Sequence, residues 1–250
     1  MQFPLQQKFH FEKNENGLAK NLMYYIEMSF HQVPDRYLKA PREKDYYSYF
    51  YELMASNDVK RLLDVGTASG DFLYYLPKDI IAVGIDSSAD LIREANQTRK
   101  KPNLEFRISD IENFSSSEHF DAITILGTLV TIEDWEKVLK KCIKLQPRLL
   151  LIHDVFNPEP IDIKLGFKNS ESLSESYNFG YNVVSIESLG RFFSQNSISY
   201  EIFEFHLTTQ LNKDHTNPMY NYHANLDGDR ILTNGTGLAL RMFNVVATIN

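Results

Sequence analysis

The sequence has little that would tie it to an oxidising compartment or a membrane. It contains a single cysteine, Cys142, so no intramolecular disulfide can form. Its longest apolar runs, such as residues 149–152, fall far short of the roughly 20 residues that a membrane-spanning helix needs. The first residues also lack the apolar stretch of a signal peptide. We therefore expect a soluble, cytoplasmic protein that makes no membrane contact.

Positive charge is scarce and dispersed. The chain has 26 Lys and Arg against 33 Asp and Glu, a formal net charge of -7. Binding to a phosphate backbone needs a concentrated positive surface, so we do not expect duplex nucleic acid as a partner. Net charge alone leaves a tRNA or a protein open as a partner. No spacing of His, Cys, Asp and Glu is typical of a metal site, and none is expected.

From residue 59 onward, short apolar runs alternate with helical patterns. The predicted strands are residues 61–65, 80–85, 103–108, 120–126, 148–155, 200–211 and 237–249. The first five runs are apolar throughout, as in strands that are covered on both faces. Helices between such strands imply parallel pairing with right-handed crossovers. The pattern predicts an α/β fold, a doubly wound and mostly parallel sheet with helices on both faces.

Three regions lie outside this alternation. Residues 1–58 contain helical patterns and no strand, which predicts an N-terminal helical cap before an α/β domain at 59–250. Residues of about 156–184 are polar and contain Pro158 and Pro160, which predicts an irregular lid insertion. The pair Asp227 and Gly228 predicts a two-residue hairpin within about 219–234.

The strongest chemical signal follows the first strand, at residues 64–70 (Asp-Val-Gly-Thr-Ala-Ser-Gly). Gly66 and Gly70 remove side chains where a ligand must approach the backbone. Main-chain N–H groups at the start of the next helix are then expected to face that ligand. Asp86 comes 20 positions after Gly66, at the end of the second strand, where a carboxylate can accept hydrogen bonds from both ribose hydroxyls. The alternative is that Asp86 only caps the helix that follows.

Two further strand ends fit an adenosyl ligand. Asp110 and Ile111 follow the third strand, where a carboxylate suits the exocyclic amine of adenine and an aliphatic side chain suits the face of the ring. Leu126 and Gly127 end the fourth strand, where the backbone can be exposed to the ligand.

Together these residues resemble the class I, Rossmann-like S-adenosylmethionine-dependent methyltransferase family, of the small-molecule type. The resemblance covers residues 60–155 and extends to the C terminus through the strand pattern. In that family an acid-x-Gly-x-Gly-x-Gly loop holds the methionine part of the donor. Here Ala68 replaces the middle glycine, and we expect ordinary backbone angles at that position.

The resemblance implies a seven-stranded sheet whose last strand is antiparallel. It also implies S-adenosyl-L-methionine as the methyl donor and S-adenosyl-L-homocysteine as the product. The residues that it assigns to donor binding are Asp64, Gly66, Thr67, Ala68, Gly70, Asp86, Ser87, Asp110, Ile111, Leu126 and Gly127.

On the acceptor side the resemblance implies in-line displacement of the methyl group, which depends on alignment and exclusion of water. His153 and Asp154 near the end of the fifth strand are the predicted catalytic residues. His153 is the candidate base, because its unperturbed pKa lies near neutrality. Either residue can instead orient a loop or pack against a helix.

Tyrosines collect before residue 60 and after residue 176, the two regions that close over the acceptor in small-molecule members of the family. Their ring faces attract cations and their hydroxyls can bind sugars or phosphates. The predicted substrate contacts are Tyr24, Tyr37, Tyr47, Tyr177 and Tyr181, although packing explains the spacing of any single one. We expect a small polar acceptor, an amine (a phosphorylated amino alcohol is one example) or a sugar hydroxyl, and a monomer or homodimer.

Two other functions remain open at this point. A NAD-binding oxidoreductase uses a similar glycine turn, but with Gly-x-Gly-x-x-Gly spacing instead of the Gly-x-x-x-Gly found here. A non-catalytic scaffold can also retain an adenosyl-binding fold.

Overall fold

The computed structural model describes residues 40–167, 178–213 and 220–249. Eleven strands lie in these ranges. They are β1 (Arg61–Val65), β2 (Ile81–Asp86), β3 (Leu104–Ile108), β4 (Ala122–Leu126), β5 (Leu149–Val155), β6 (Ile163–Phe167), β7 (Asn178–Val183), β8 (Ser199–Phe205), β9 (Tyr222–Leu226), β10 (Asp229–Thr233) and β11 (Met242–Thr248).

Seven of the strands form one sheet in the order β3-β2-β1-β4-β5-β11-β8. The pairs from β3 to β5 are parallel, and β11 is antiparallel to both of its neighbours. The predicted fold class, a mostly parallel seven-stranded sheet with its last strand antiparallel, is confirmed. The order reverses at β1, so the carboxyl ends of β1 and β4 flank a crevice of the kind that binds ligands in open α/β sheets.

The helices are α1 (Tyr47–Ser56), α2 (Asp71–Tyr74), α3 (Ala89–Thr98), α4 (Trp135–Lys144) and α5 (Ile186–Gln195), with a short 3₁₀ helix at Leu129–Thr131. Of the four ten-residue helices, α3, α4 and α5 begin at side-chain caps of the preferred residue types. Ser88 accepts a hydrogen bond from the N–H of Leu91 at the start of α3, and Asp134 accepts one from the N–H of Lys137 at the start of α4.

Both faces of the sheet are covered, because successive strand residues alternate between faces. Leu62 packs in a cluster with Phe50 of α1, whereas Leu63 packs in a second cluster with Leu139 of α4. Helices α1 to α3 therefore cover one face, and α4 and α5 cover the other. The face beneath α1 carries the alternate positions of β1, which include Asp64.

The region between β5 and α5 is more regular than the sequence indicated. Residues 163–167 and 178–183 pair as an antiparallel hairpin, so the expectation of an irregular segment is wrong for these strands. β9 and β10 also pair, across a turn in which Asp227 and Gly228 have φ of 51° and 95°. Positive φ at both central residues is the requirement of a type I′ turn.

Of the predicted N-terminal cap, residues 1–39 lie outside the described ranges. Within that cap, Pro41 suits the first turn of a helix, and the sequence predicts a helix from there to about Ala55. The helix begins instead at Tyr47, and residues 41–44 have no regular structure. Pro41 accepts a hydrogen bond at its carbonyl from Tyr75 Oη at 2.8 Å, which ties this segment to the end of α2. Within the described ranges, no helix is long and apolar enough to cross a membrane.

Candidate active site

The turn after β1 requires glycine at two positions. Gly66 has φ of +75°, and a Cβ there would lie 2.3 Å from Thr128 Oγ1. Gly70 has φ of +82°, and a Cβ there would lie 2.4 Å from the ring of Phe106. Both positions combine a left-handed backbone with a close approach, so the chain turns sharply at the carboxyl end of β1 and enters α2.

Ala68 also lies in the left-handed region, with φ of 50°, so the expectation of ordinary backbone angles there is wrong. This conformation costs a residue with a Cβ roughly 1–2 kcal/mol. The N–H of Ala68 donates to Asp86 Oδ2 at 3.0 Å, which offsets part of that cost. The same hydrogen bond joins the turn at residues 66–70 directly to Asp86, the acid at the end of β2.

The two carboxylate oxygens of Asp86 accept hydrogen bonds from two different segments, the turn after β1 and the start of α3. Oδ2 accepts from Ala68, and Oδ1 accepts from the N–H of Ser88 at 2.9 Å. Burial raises the pKa of this carboxyl, and the two hydrogen bonds oppose the rise. Each oxygen retains lone-pair capacity for a further donor, such as a ligand hydroxyl. The neighbouring Ser87, also predicted to bind the donor, is exposed.

Most of the loop amides do not face open space, which corrects the expectation that they would meet the ligand. The N–H groups of Gly66 and Thr67 both donate to the carbonyl of Ile85, at 2.9 and 3.0 Å. The N–H of Gly70 donates to the carbonyl of Thr67 at 2.9 Å. The first two bonds fasten the loop to β2, and the third lies within the loop. Ser69 Oγ, by contrast, is buried with no hydrogen-bond partner among the described residues, and sequence reasoning did not single it out.

Asp64 supports the loop from beneath. It is 3% exposed and accepts a hydrogen bond from Thr124 Oγ1 of β4 at 2.7 Å. Burial raises the pKa of its carboxyl to about 6, and the Thr124 hydroxyl opposes that rise. The side chain contributes to the electrostatics of the site from an internal position.

The third strand end differs from the expectation in detail. Asp110 is exposed, and its Oδ1 accepts from the N–H of Glu112 at 2.8 Å, so its other oxygen remains available to a ligand. Ile111 is 4% exposed and packs in the main core. Ile108, which the sequence reasoning missed, is 61% exposed and is the register partner of Asp86. Adjacent register partners share a face of a sheet, so Ile108 provides an apolar surface beside Asp86.

At the end of β4, Gly127 has φ of +70°, and a Cβ there would meet no atom of the described residues within 4 Å. Its N–H donates to the carbonyl of His153 at 2.6 Å. The preceding Leu126 is partly buried against the cluster beneath α1. The open space beside Gly127 agrees with the expected exposure of backbone here, although its N–H is already bonded.

His153 and Asp154 point to opposite faces of β5. His153 is buried beneath α1, with Nδ1 lying 2.6 Å from Asn244 Oδ1 and its ring stacked on Tyr46 at a centroid distance of 3.7 Å. Burial lowers the pKa of the His153 imidazole to about 4, so the ring is neutral near pH 7. Its Nε2 is buried and has no hydrogen-bond partner among the described residues.

Asp154 holds the turn after β4. Its Oδ2 accepts from the N–H of Val130 at 3.1 Å, and its Oδ1 accepts from the N–H of Val155 at 2.8 Å. The side chain is 2% exposed, and burial raises the pKa of its carboxyl to about 6. These contacts indicate a positioning role, and they correct the expectation that Asp154 faces the acceptor.

The predicted tyrosines are not brought together at one site by the described residues. Tyr47 is 3% exposed and packs edge-on against Phe72. Tyr181 is 8% exposed and packs in a cluster with Leu240. These two therefore contribute to packing. The remaining three, Tyr24, Tyr37 and Tyr177, lie outside the described ranges.

Comparison with known proteins identifies the family. The sequence profile described as "Methyltransferase domain" matches residues 56–206, which span β1 to β8. The chain belongs to the methyltransferase family. With the sheet described above, it is a class I, S-adenosylmethionine-dependent methyltransferase. No curated protein sequence matches this methyltransferase.

Solved structures show the same fold at low sequence identity. The N-terminal domain of EvdMO1, crystallised in the presence of SAH and D-fucose, is 16% identical with a TM-score of 0.55, covering 88% of this chain and 84% of that one. The DhpI–SAH complex is 16% identical with a TM-score of 0.53, covering 94% and 98%. The N-methyltransferase NodS from Bradyrhizobium japonicum WM9, in complex with SAH, is 14% identical with a TM-score of 0.54, covering 93% and 100%.

Proposed function

We propose that this methyltransferase transfers a methyl group from S-adenosylmethionine to a small polar acceptor, an amine or a hydroxyl, by in-line displacement. The observation that carries the proposal is the hydrogen bond of 3.0 Å between the Ala68 N–H and Asp86 Oδ2. It joins the glycine turn to the acid of β2, the two parts that an adenosyl ligand must contact at once.

In the proposed mode, Asp86 accepts hydrogen bonds from the ribose hydroxyls of the donor. The exposed side chain of Ile108 covers one face of the adenine ring, and Asp110 accepts from its exocyclic amine. The methionine part lies along the turn at residues 66–70, above Asp64. The buried and unpaired hydroxyl of Ser69 supplies a further contact within that turn.

The acceptor lies beyond the sulfur, on the side of β4 and β5. The solved structures support a small polar acceptor, because one is an N-methyltransferase and another was crystallised with a sugar. A phosphorylated amino alcohol and a sugar hydroxyl are the two classes to test first. The acceptor lone pair attacks the sulfonium methyl, the C–S bond breaks with its electrons passing to sulfur, and S-adenosylhomocysteine leaves. We propose a monomer or homodimer as the working form.

The test is calorimetric titration of the donor into wild type, Asp86→Ala and Asp90→Ala. Asp90 is the control, since it lies on the first turn of α3 and pairs with Arg93 at 2.7 Å outside the proposed site. We expect Asp86→Ala to lose more than about 1.5 kcal/mol of donor binding, the scale of a hydrogen bond to a charged group, and Asp90→Ala to lose little. Equal dissociation constants for wild type and Asp86→Ala would remove Asp86 from the site.

Titration with NAD separates the oxidoreductase alternative. Binding of NAD without binding of S-adenosylmethionine would replace the proposed function. Donor binding with no turnover on any amine or hydroxyl in an acceptor panel would favour the scaffold.

A further inference from the structure

The buried pair of His153 and Asn244 determines which imidazole nitrogen of His153 carries the proton. Asn244 Oδ1 can only accept a hydrogen bond, and it lies 2.6 Å from Nδ1. Nδ1 therefore carries the proton in the neutral ring, and Nε2 has a bare lone pair. The two residues are register partners on β5 and β11 and are 0% and 2% exposed, so little besides the side chains themselves can satisfy them.

Nε2 is the unexplained atom of this pair. It is buried and has no hydrogen-bond partner among the described residues. A buried acceptor without a donor is costly, so such an atom near the carboxyl end of a strand points to a ligand that supplies one. The ring is held in place by Tyr46, which stacks on its face, and by Phe205, whose ring meets it edge-on at 5.1 Å.

We infer that Asn244 is a positioning residue that fixes the tautomer of His153 and leaves Nε2 as the proton acceptor for the ligand atom that is methylated. This inference rests on the proposed function. The ligand that binds at Nε2 of His153 carries an O–H or N–H on its nucleophilic atom. As that atom bonds to the methyl carbon, the C–S bond breaks toward sulfur and the released proton passes to Nε2.

Ligand access to Nε2 requires movement of the segment that carries Tyr46. On its exposed side this segment is fastened by Asp45, whose carboxylate accepts from the Thr208 hydroxyl at 2.7 Å and from the Thr209 N–H at 3.0 Å. Opening it breaks these hydrogen bonds, which contribute little net stability each, and exposes the ring of Tyr46, which is 5% exposed and packs in the cluster beneath α1. It breaks no strand pairing of the seven-stranded sheet.

The charged and titratable groups around His153 favour the neutral ring. Burial lowers the pKa of the imidazole most, the Asn244 hydrogen bond raises it, and the charge of Lys44, two residues before Tyr46, lowers it further. Tyr46 is a neutral phenol, since burial raises its pKa. A neutral ring is the form that can accept a proton.

The experiment records long-range ¹H–¹⁵N imidazole spectra of uniformly labelled protein, with His153→Gln identifying the His153 signals. Wild type should show a protonated Nδ1 and a bare Nε2. Asn244→Ala should redistribute the proton between the nitrogens and lower kcat on the order of 10-fold or more, with the KM for the donor unchanged. Asn244→Asp retains an accepting oxygen, so it should keep the Nδ1–H tautomer and move the acid limb of the kcat–pH profile to higher pH.

Asn182→Ala is the matched control, because Asn182 is also 2% exposed but donates to the carbonyl of Ile132. It should leave the His153 signals unchanged. A wild-type spectrum with the proton on Nε2 overturns the inference without any variant, even if the enzyme binds its donor. An Asn244→Ala enzyme with unchanged tautomer and turnover overturns it too. Failure of wild type to bind S-adenosylmethionine would instead overturn the proposed function.

Discussion

The close approach of Gly66 to Thr128 predicts how much one added methyl group at position 66 lowers the free energy of unfolding. In Gly66→Ala the new Cβ would lie 2.3 Å from Thr128 Oγ1 and 2.4 Å from Thr128 Cγ2, at a φ of +75°. The left-handed backbone costs roughly 1–2 kcal/mol and the overpacking a further 1–3 kcal/mol. Gly127→Ala is the matched control, because its φ of +70° is nearly the same and its Cβ would meet nothing within 4 Å.

Urea unfolding measures both losses, with fluorescence of the single tryptophan, Trp135, as the probe. Gly127→Ala should lower the free energy of unfolding by roughly 1–2 kcal/mol, and Gly66→Ala by a further 1–3 kcal/mol. Adding Thr128→Ala to Gly66→Ala removes Oγ1 and Cγ2 and should restore part of that difference, as a double-mutant cycle reveals. Equal losses for the two glycine variants would refute the steric reasoning.

Three further predictions follow from buried ionisable side chains. Arg99→Met breaks a 2.9 Å ion pair with Asp71, in which the arginine side chain is 2% exposed, and should lower the free energy of unfolding by about 3 kcal/mol; a loss below about 1 kcal/mol contradicts this. Asp154→Ala leaves the N–H of Val130 without its acceptor and should cost about 1–3 kcal/mol in the same assay; unchanged stability would show that the turn after β4 holds without it. Burial lowers the pKa of His153 from its usual 6.5 to about 4 in the folded protein. The contribution of the neutral ring to the free energy of unfolding is therefore complete above pH 6.5 and is lost as pH falls. The loss is about 2 kcal/mol at pH 5. The difference in unfolding free energy between wild type and His153→Phe measures this loss and cancels the opposite effect of the buried carboxyls, and a difference independent of pH would contradict it.

The glycine turn and the acid of β2 could be predicted from the sequence because each follows or ends a strand that the apolar pattern already indicates. Gly66 comes directly after β1, Gly70 lies four positions later, and Asp86 ends β2. The conformation of Ala68 could not be predicted in this way, because it depends on a hydrogen bond to a residue 18 positions away.

The surroundings of His153 were harder to predict because they depend on pairing between distant segments. Asn244 meets His153 across 91 positions, through a register that only the folded sheet defines. The stacking of Tyr46 on His153 depends on where α1 begins, and the sequence placed that start too early. Tyr47 matched a tyrosine-rich pattern, yet its helical position turns it into the core.

Because His153 and Asp154 lie on opposite sides of one strand, the two positions can change independently in evolution. Under the proposed function, a substitution at position 153 alters what lies next to the acceptor, while the neighbouring carboxylate continues to anchor the turn on the other side. The first residue can then change without rebuilding the second. A single residue inserted within β5 before these two would turn each side chain to the opposite face of the sheet, so both would lose their present contacts together.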